Sequence, residues 1–576
     1  MAAGAEPRAD PHRIAAVSGA TETADVVIVG SGFGGSITAW RLAELYRAAG
    51  ADPQRIVVLE RGRRYGHTDF RQSMDIDNLS SVYKLIQGQG AQVVTANAVG
   101  GGSNLYLAAS LRAPRETFER RDHRPDDGPD RRMWPKAISR RTLNPFYAQA
   151  ERGLRVRRPT WDQVSKSGGL WAATLHSAGH TCDRVPLAIS EKRCVNAKWC
   201  HTGCIFGAKN SLITNYLYAA ESRGVQVRPN LQVEAIQQTS ARPYRYVVSA
   251  DVMDDGGAHP SRAPTGQTLK LRCKVLVLAA GAMATPPLLL RSRLYLPSLS
   301  SQVGRHLGVD GDHIAAIEYD PRRVQSVLGL GRYHEFYKGK PITTMSYDWW
   351  VGRRGHAFDG RRFNLQEIFL SSLTNFLYDS GRSKPGGPSW WGLEKKQAIA
   401  HWHNRIELLA LVEDTHDGTW LVPPPSGAAV PTGPGPVQVG TFDYRLSEQS
   451  LAIREAANRV MARLAAHRRL GRFMALTEPG GVYCAHPLGG CRMAESPDLG
   501  VVDDFGNVYG YEGLLCIDGS IVPTSLGVNP SLTISALSER CAQHLVSRGE
   551  DFGLPAKPAG MRFRTPPEHV GTRVIP

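Results

Sequence analysis

The stretch Asp25 to Gly35, DVVIVGSGFGG, carries the spacing best suited to gripping a phosphorylated ligand. Gly30, Gly32 and Gly35 make GxGxxG, with Phe33 and Gly34 inside it. Glycines so spaced let main chain approach a pyrophosphate, and a helix starting there offers free N–H groups and the positive end of its dipole. Glu60 ends a second apolar run, Ile56 to Leu59, where an acid can take the ribose hydroxyls of an adenine dinucleotide. The ligand chemistry is therefore that of FAD or NAD. Gly100, Gly101, Gly102 and Ser103 form a second loop of close approach, packed against something flat or phosphorylated, or acting as a hinge. Cys194, Cys200 and Cys204, with His201 among them, offer ligands for zinc, yet their spacing is not a regular CxxC pair, and free or structural thiols are the favoured reading over a metal.

These groups need elements to hold them. Val26 to Val29 is a continuous apolar run, as expected of a strand buried on both faces, and ITAWRLAELYRAAG after the glycines reads as a helix. The logic repeats in KVLVLAAGAMATPPLLLRS, with Gly281 at the turn between strand and buried helix start. Between them, GAKNSLITNYLYAAESRG reads as a helix and VQVRPNLQVEAIQ, which contains Val233, as strands. From about Glu318 to Leu476 the character changes to alternating stretches, FNLQEIFL, IELLALVED and PVQVGTFDYRL, that predict antiparallel strands. A long aromatic stretch at 371–405 reads as local packing, as a cover for a bulky substrate, or as a membrane-touching segment. The chain returns through YCAHPLGGCRM and through LLCIDGSIVPTSLGVNPSLTISALSER, a polar, glycine-rich lead into an apolar helix that suggests a cofactor contact at a helix start.

The 576 residues, 42% hydrophobic and 21% charged, are ample for a large core. A formal charge of +16 raises the question of nucleic acid, but the excess is scattered arginine without a basic tract, which excludes that class and leaves a solvated basic surface, with peripheral contact to anionic membranes second. Val275 to Leu290 is broken by Pro286 and Pro287 and is too short to span a membrane. The N-terminus lacks the apolar core of a secretory signal, and nine cysteines do not make a disulfide framework, so a cytoplasmic location is expected.

Taken in order, VGSGFGG with Glu60, VGGGS, GAKNSLITNYL, AAGAMATPPLLLRS, HPLGGCRM and DGSIVPTSLGVNPSLTISALSER resemble the glucose-methanol-choline (GMC) oxidoreductases, most closely their cholesterol oxidase branch. The resemblance implies an α/β fold: a discontinuous Rossmann-like FAD-binding domain (24–115, 191–315, 479–548) and an α+β substrate domain with an antiparallel sheet (316–478, approached through 116–190). Residues 1–23 are then a disordered leader and 549–576 an irregular tail. It implies non-covalent FAD against Gly30, Gly32, Phe33, Gly34, Gly35, Glu60, Gly101, Gly102, Ser103, Val233, Gly281, Asp518, Gly519, Asn529, Pro530 and Ser531. His486 and Asn529 would face the flavin ring, His486 handling the hydroxyl proton as a hydride leaves for flavin N5. Glu367, in FNLQEI, would be the proton-transferring acid if a double bond is also isomerised, with Glu413 as the alternative acid. Tyr106 stands where the cholesterol oxidases keep a polar residue, and Ala197 and Trp199 interrupt the cysteine cluster. The activity implied is oxidation of a secondary alcohol on a bulky, sterol-like substrate, with oxygen or another electron acceptor. A dehydrogenase acting on another alcohol, and a non-redox lyase with structural FAD, are the alternatives.

Overall fold

The computed structural model describes residues 21–73, 81–122, 131–254, 263–330, 339–352, 360–369, 393, 396, 400, 404–421, 442–476 and 481–569. Most of the leader, most of the aromatic stretch at 371–405 and the first half of PVQVGTFDYRL lie outside them.

The apolar run near the N-terminus forms β1 (Glu22–Val29), whose Val26, Val27 and Ile28 are fully buried. It lies parallel between β2 (Ile56–Leu59) and β11 (Pro264–Leu278). Outward on one side comes β8 (Gln226–Arg228), parallel to β2. On the other, β11 is long enough to pair twice: its last turn runs parallel to β21 (Leu514–Cys516), its first part antiparallel to β10 (Tyr246–Met253), which pairs with β9 (Leu231–Gln238). Segments more than 450 residues apart in sequence thus share one seven-stranded sheet, the discontinuous Rossmann-like arrangement. Helix α1 (Phe33–Ala48) follows β1 and packs against the C-terminal helix Ser531–Ser547. Strands with no polar face need such cover on both sides.

The second sheet has six strands in the order β19 (Gly471–Ala475), β13 (Asp312–Tyr319), β16 (Arg405–Val412), β15 (Phe363–Ile368), β14 (Ile342–Ser346), β7 (Asp183–Arg184), every neighbour antiparallel. All six residues of β15 and all eight of β16 are buried, so both faces of the sheet are covered. One face, with Phe363, Leu365, Leu408 and Ala410, packs on the helices Lys166–Ser177 and Glu448–Ala466; the other, with Ile314, Leu409 and Leu411, joins the core of the first domain. Three small sheets fasten the two together: β3 (Tyr83–Gln87), β4 (Ala91–Ala96) and β20 (Val482–Cys484); β12 (Arg305–Leu307), β17 (Gly418–Trp420) and β18 (Phe442–Asp443); and the hairpin of β5 (Arg121–Asp122) with β6 (Arg131–Arg132).

One expectation is corrected. GAKNSLITNYLYAAESRG is α-helical only from Tyr216 to Glu221, after a single 3-10 turn at Leu212–Thr214, because its first half is engaged elsewhere. Lys209 donates to the carbonyls of Asn104, Tyr106 and Cys200, and the main-chain N–H of Leu212 donates to Ser103 Oγ at 3.0 Å. Those bonds clamp the second glycine loop at the expense of helix. Among the described residues, no helix is long and apolar enough to cross a membrane.

Candidate active site

Glycine is dictated at the first loop by what surrounds it. A Cβ on Gly34 would stand 1.6 Å from the Ile517 carbonyl oxygen, and one on Gly35 would stand 1.9 Å from the Gly30 carbonyl oxygen. Gly30, at φ +99°, turns the chain against Ala279. Gly32 and Gly102 differ, having no protein atom within 4 Å of that position. Both glycine loops therefore leave an open side, while Gly101 rests on Gly32 with its Cβ position 2.9 Å from the Gly32 Cα. Ser31 joins them, its Oγ donating to Glu60 Oε2 at 2.7 Å and accepting from the Gly100 N–H at 2.9 Å. Glu60 also accepts from the N–H groups of Ser31 (3.0 Å) and Gly62 (2.8 Å), so its carboxylate holds the loop as well as standing at the end of β2.

The other expected contacts divide in the same way. Ser103 donates to the Gly100 carbonyl, closing its own loop. Val233 sits beside a register shift in the β9–β10 pairing, where a bulge re-aims the chain. Asp518 accepts from the Gly281 N–H at 2.7 Å, from Thr285 Oγ1 at 2.6 Å and from the Ser520 N–H at 2.7 Å, binding the second glycine turn to the turn at Gly519. Pro530 caps the last helix and Ser531, its first residue, donates to the Ala109 carbonyl. Phe33 meets Tyr106 edge-on, with ring centroids 5.7 Å apart. Buried oxygens left without a protein partner, Asn104 Oδ1 and Asn529 Oδ1, add to the open glycine faces as points where a ligand would bond. Two glycine loops with open faces, a carboxylate at the end of β2 and these unpaired polar atoms fit FAD.

His486 and Asn529 come together across this wall. The Asn529 amide donates to His486 Nε2 at 3.3 Å, which requires that nitrogen to be the acceptor, and His486 Nδ1 lies 2.6 Å from Asp312 Oδ1. Asp312 opens β13 and is itself held, its Oδ2 accepting the Ala485 N–H at 2.8 Å. Burial pushes the imidazole pKa down, but the Asp312 carboxylate, reinforced by Asp310, outweighs it and leaves His486 above the ordinary histidine value. Asp310 is fully buried, and burial lifts its carboxyl well above the usual range. It accepts from Ser525 Oγ (3.1 Å) and from the Leu526 N–H (2.6 Å), so it anchors the segment that leads to Asn529. Sequence reading did not single out Asp310 or Asp312, although the signal was there: VDGDHIA puts two acids around a glycine at the very start of an apolar strand.

Glu367 is not brought to this place. Successive residues of a strand point to opposite faces, and Glu367 shares its face with Phe363 and Leu365, toward the helix Lys166–Ser177. There it accepts from Ser165 Oγ (3.3 Å), from Ser167 Oγ and from the Thr343 N–H (3.2 Å), and Lys198 Nζ donates to Ser167 Oγ at 2.9 Å. Burial raises the Glu367 carboxyl and lowers the Lys198 ammonium to about 8. Asn364 and Gln366 take the face toward the site: Asn364 Nδ2 donates to the Gly527 carbonyl and Gln366 Nε2 to Asn364 Oδ1. Glu413 lies between Arg120 and Arg362, 3.7 Å from each. Removing one partner from a buried ionic network costs about 3–5 kcal/mol, so Glu367→Ala should lower the free energy of denaturant unfolding by about that much while leaving the rate of anaerobic flavin reduction within a few-fold of the parent. Unchanged stability with lost activity would instead return Glu367 to the chemistry.

The cysteine cluster is buried or half-buried and all nine thiols are free; among the described residues no group of three or more His, Cys, Asp or Glu side chains is placed to hold a metal ion.

Comparison with known proteins gives the family. Residues 16–309 and 436–538 match the two family profiles described as GMC oxidoreductase. The chain belongs to the GMC oxidoreductase family, FAD-dependent enzymes that oxidise alcohols. It is 27% identical to a cholesterol oxidase of Mycobacterium tuberculosis over 94% of both chains, and 24% identical to the long-chain-alcohol oxidase FAO4B of Arabidopsis thaliana over 89% of this chain and 66% of that one. Among solved structures, it is similar in fold to pyridoxine 4-oxidase from Mesorbium loti (TM-score 0.58, 16% identity, 90% of this chain and 99% of that one). It is also similar to an FAD-dependent oxidoreductase from Chaetomium thermophilum (TM-score 0.58, 16% identity, 92% and 100%).

Proposed function

We propose that this protein oxidises a secondary alcohol on a bulky, sterol-like substrate to a ketone, with FAD held non-covalently and electrons passing on to oxygen or another acceptor. The observation that carries the reading is the His486–Asn529 pair, with His486 Nε2 as acceptor and Nδ1 held by Asp312. FAD, when bound, supplies the two-electron acceptor for the carbinol carbon. The chain's own part is to bind and orient the hydroxyl between Asn529 and His486, and to take its proton at Nε2. Asp312 keeps the imidazole in the tautomer that leaves Nε2 unprotonated, so that the hydroxyl takes the place of the Asn529 amide at its lone pair, and stabilises the imidazolium that forms. The likeness to cholesterol oxidases supports an apolar substrate.

Isomerisation of a double bond needs a second proton carrier, and position 367 does not supply one. The likeness to long-chain-alcohol oxidases favours a long-chain alcohol as the second reading. The domain limits and the cytoplasmic location expected above belong to the same proposal; nine unpaired thiols support the latter.

The test is anaerobic mixing of the purified protein with a panel of sterols, long-chain alcohols, sugars and aromatic alcohols, followed by air. Bleaching of the flavin by sterols supports the proposal, and recovery of colour in air identifies oxygen as acceptor. Bleaching by long-chain alcohols alone selects the second reading. No bleaching by any alcohol points to a non-redox role.

The flavin should also come away in solution when the protein is precipitated with acid. No histidine occurs between Ala91 and Asp122 to anchor it beside the second glycine loop. Colour that stays with the precipitate would show a covalent link.

A further inference from the structure

Lys209 is 2% exposed beside the second glycine loop, and its ammonium spends all three N–H bonds on main-chain carbonyls, those of Asn104, Tyr106 (3.2 Å) and Cys200 (2.6 Å). Neutral acceptors hold a cation without cancelling it. Among the described residues, the titratable groups that bear on its charge are the thiols of Cys200 and Cys204, and burial pushes the Cys200 thiol up to about 12, so it offers no counter-ion at neutral pH. Burial lowers the ammonium only to about 8, so Lys209 keeps its charge there. Taking an unpaired ion out of water is costly, and a clamp does not require it, because a neutral amide donates to carbonyls as well. The place of the charge gives it a use. Gly101 rests on Gly32, and the Ala109 carbonyl accepts from Ser531, two residues after Asn529. Residues 101–109 therefore run from the turn suited to the pyrophosphate to the pair suited to the flavin ring, with Asn104 and Tyr106 between. Asn104 Oδ1 is buried there without a protein partner, and the Tyr106 ring, edge-on to Phe33, has its centroid 5.6 Å from Lys209 Nζ.

We propose that Lys209 is the electrostatic partner of the flavin: its charge, held on the carbonyls of Asn104 and Tyr106, stabilises the negative charge that the ring gains when the alcohol is oxidised. The inference rests on the placement of FAD given above. Oxidation breaks the carbinol C–H and O–H bonds and completes the C=O bond; the hydride, with two electrons, goes to the flavin and the hydroxyl proton to His486 Nε2. One negative charge is then left on the ring and one positive charge on the imidazole. A fixed cation nearby favours that state over the neutral, oxidised ring, and in a buried site water screens it little. Lys209 thereby raises the reduction potential of the flavin, as a charge placed near its ring nitrogens does.

The test needs no substrate. Sulfite adds to the flavin and leaves a negative charge on its ring, so its affinity, read from bleaching of the flavin band in the FAD-loaded protein, reports that charge. The variant is Lys209→Gln, whose amide still donates to carbonyls but is neutral. It should bind sulfite about tenfold more weakly than the parent or worse, and the midpoint potential of its flavin, measured anaerobically against a reference dye, should be lower by about 30 mV or more, the equivalent of that tenfold for a two-electron couple. The parent's sulfite affinity and potential in Lys209→Gln, even with part of its FAD lost, would reduce Lys209 to a clamp and overturn the proposal. Should Lys209→Gln not hold FAD at all, Cys204→Asp decides, since it sets a carboxylate where a thiol already bears on the ammonium and leaves the lysine in place. Cys204→Asp should weaken sulfite binding while Cys204→Asn keeps the parent's value; equal affinities in the two overturn the proposal. Failure of the FAD placement itself shows elsewhere, as a Gly32→Ala protein that keeps its flavin.

Discussion

His486→Ala is expected to fold, to keep its full complement of FAD, and to be reduced by its best alcohol about 10²- to 10⁴-fold more slowly than the parent, the usual range for a lost general acid or base. The binding surfaces built from the two glycine loops do not involve the imidazole, so flavin content should not change. The fall should appear in the anaerobic reductive step and not in reoxidation by air. Asp312→Asn should reproduce much of it, because an amide in place of the carboxylate no longer favours Nδ1 as donor and removes the charge that raises the imidazole pKa. Asn529→Ala should also slow reduction, and since Asn529 and His486 meet at one hydroxyl, the double variant should lose less than the product of the two single losses. Stopped-flow absorbance at the flavin band measures all four. An Asp312→Asn protein with normal kinetics would reduce that carboxylate to a structural prop.

A second large effect separates two glycines only two positions apart. Gly34→Ala should fail to give folded, yellow protein, since its methyl would stand 1.6 Å from the Ile517 carbonyl oxygen, on main chain that also carries Asp518. Relief requires α1 to move off the sheet, and overpacking of that kind costs about 3 kcal/mol or more. Gly32→Ala adds the same methyl where no protein atom lies within 4 Å and where φ is −68°, an ordinary value for alanine. It should fold with the parent's stability but lose FAD, because that open space is where the pyrophosphate would come. The melting temperature and the ratio of flavin to protein absorbance distinguish the outcomes. Gly32→Ala with normal FAD content would remove the cofactor from the place assigned to it.

The contrast between these glycines shows how far the sequence could be read. GxGxxG after four apolar residues defines a strand, a turn and a helix start without help from the rest of the chain, and β1, α1, β2 and β11 stand where the residues put them. Within that motif, which glycine packs on protein and which faces ligand depends on Ile517, nearly 500 residues away, and no local pattern holds that information. The same limit explains Glu367. FNLQEI is a strand, as its composition indicates, but its six residues are all buried, so no polar alternation marks which face meets the site. Only the pairing with β14 and β16 settles that Asn364 and Gln366 look one way and Glu367 the other. Asp312 was hidden for a related reason: its importance comes from a 2.6 Å contact with a residue 174 positions away. GAKNSLITNYL misled in the opposite direction, since its helical composition yields to the bonds that Lys209 and Leu212 make with the second glycine loop.

The most direct test of the central claim, that His486 accepts the substrate's proton from a position set by Asp312, is the pH dependence of anaerobic flavin reduction in the parent and in His486→Gln. A base works only when unprotonated, and the Asp312 carboxylate holds this imidazole above the ordinary histidine value. The rate in the parent should therefore rise with pH through an ionisation above about 6.5 and then level off, and His486→Gln should be slow and lack that ionisation. A parent profile that is flat across this range, or a His486→Gln protein that keeps both the rate and the ionisation, would contradict it.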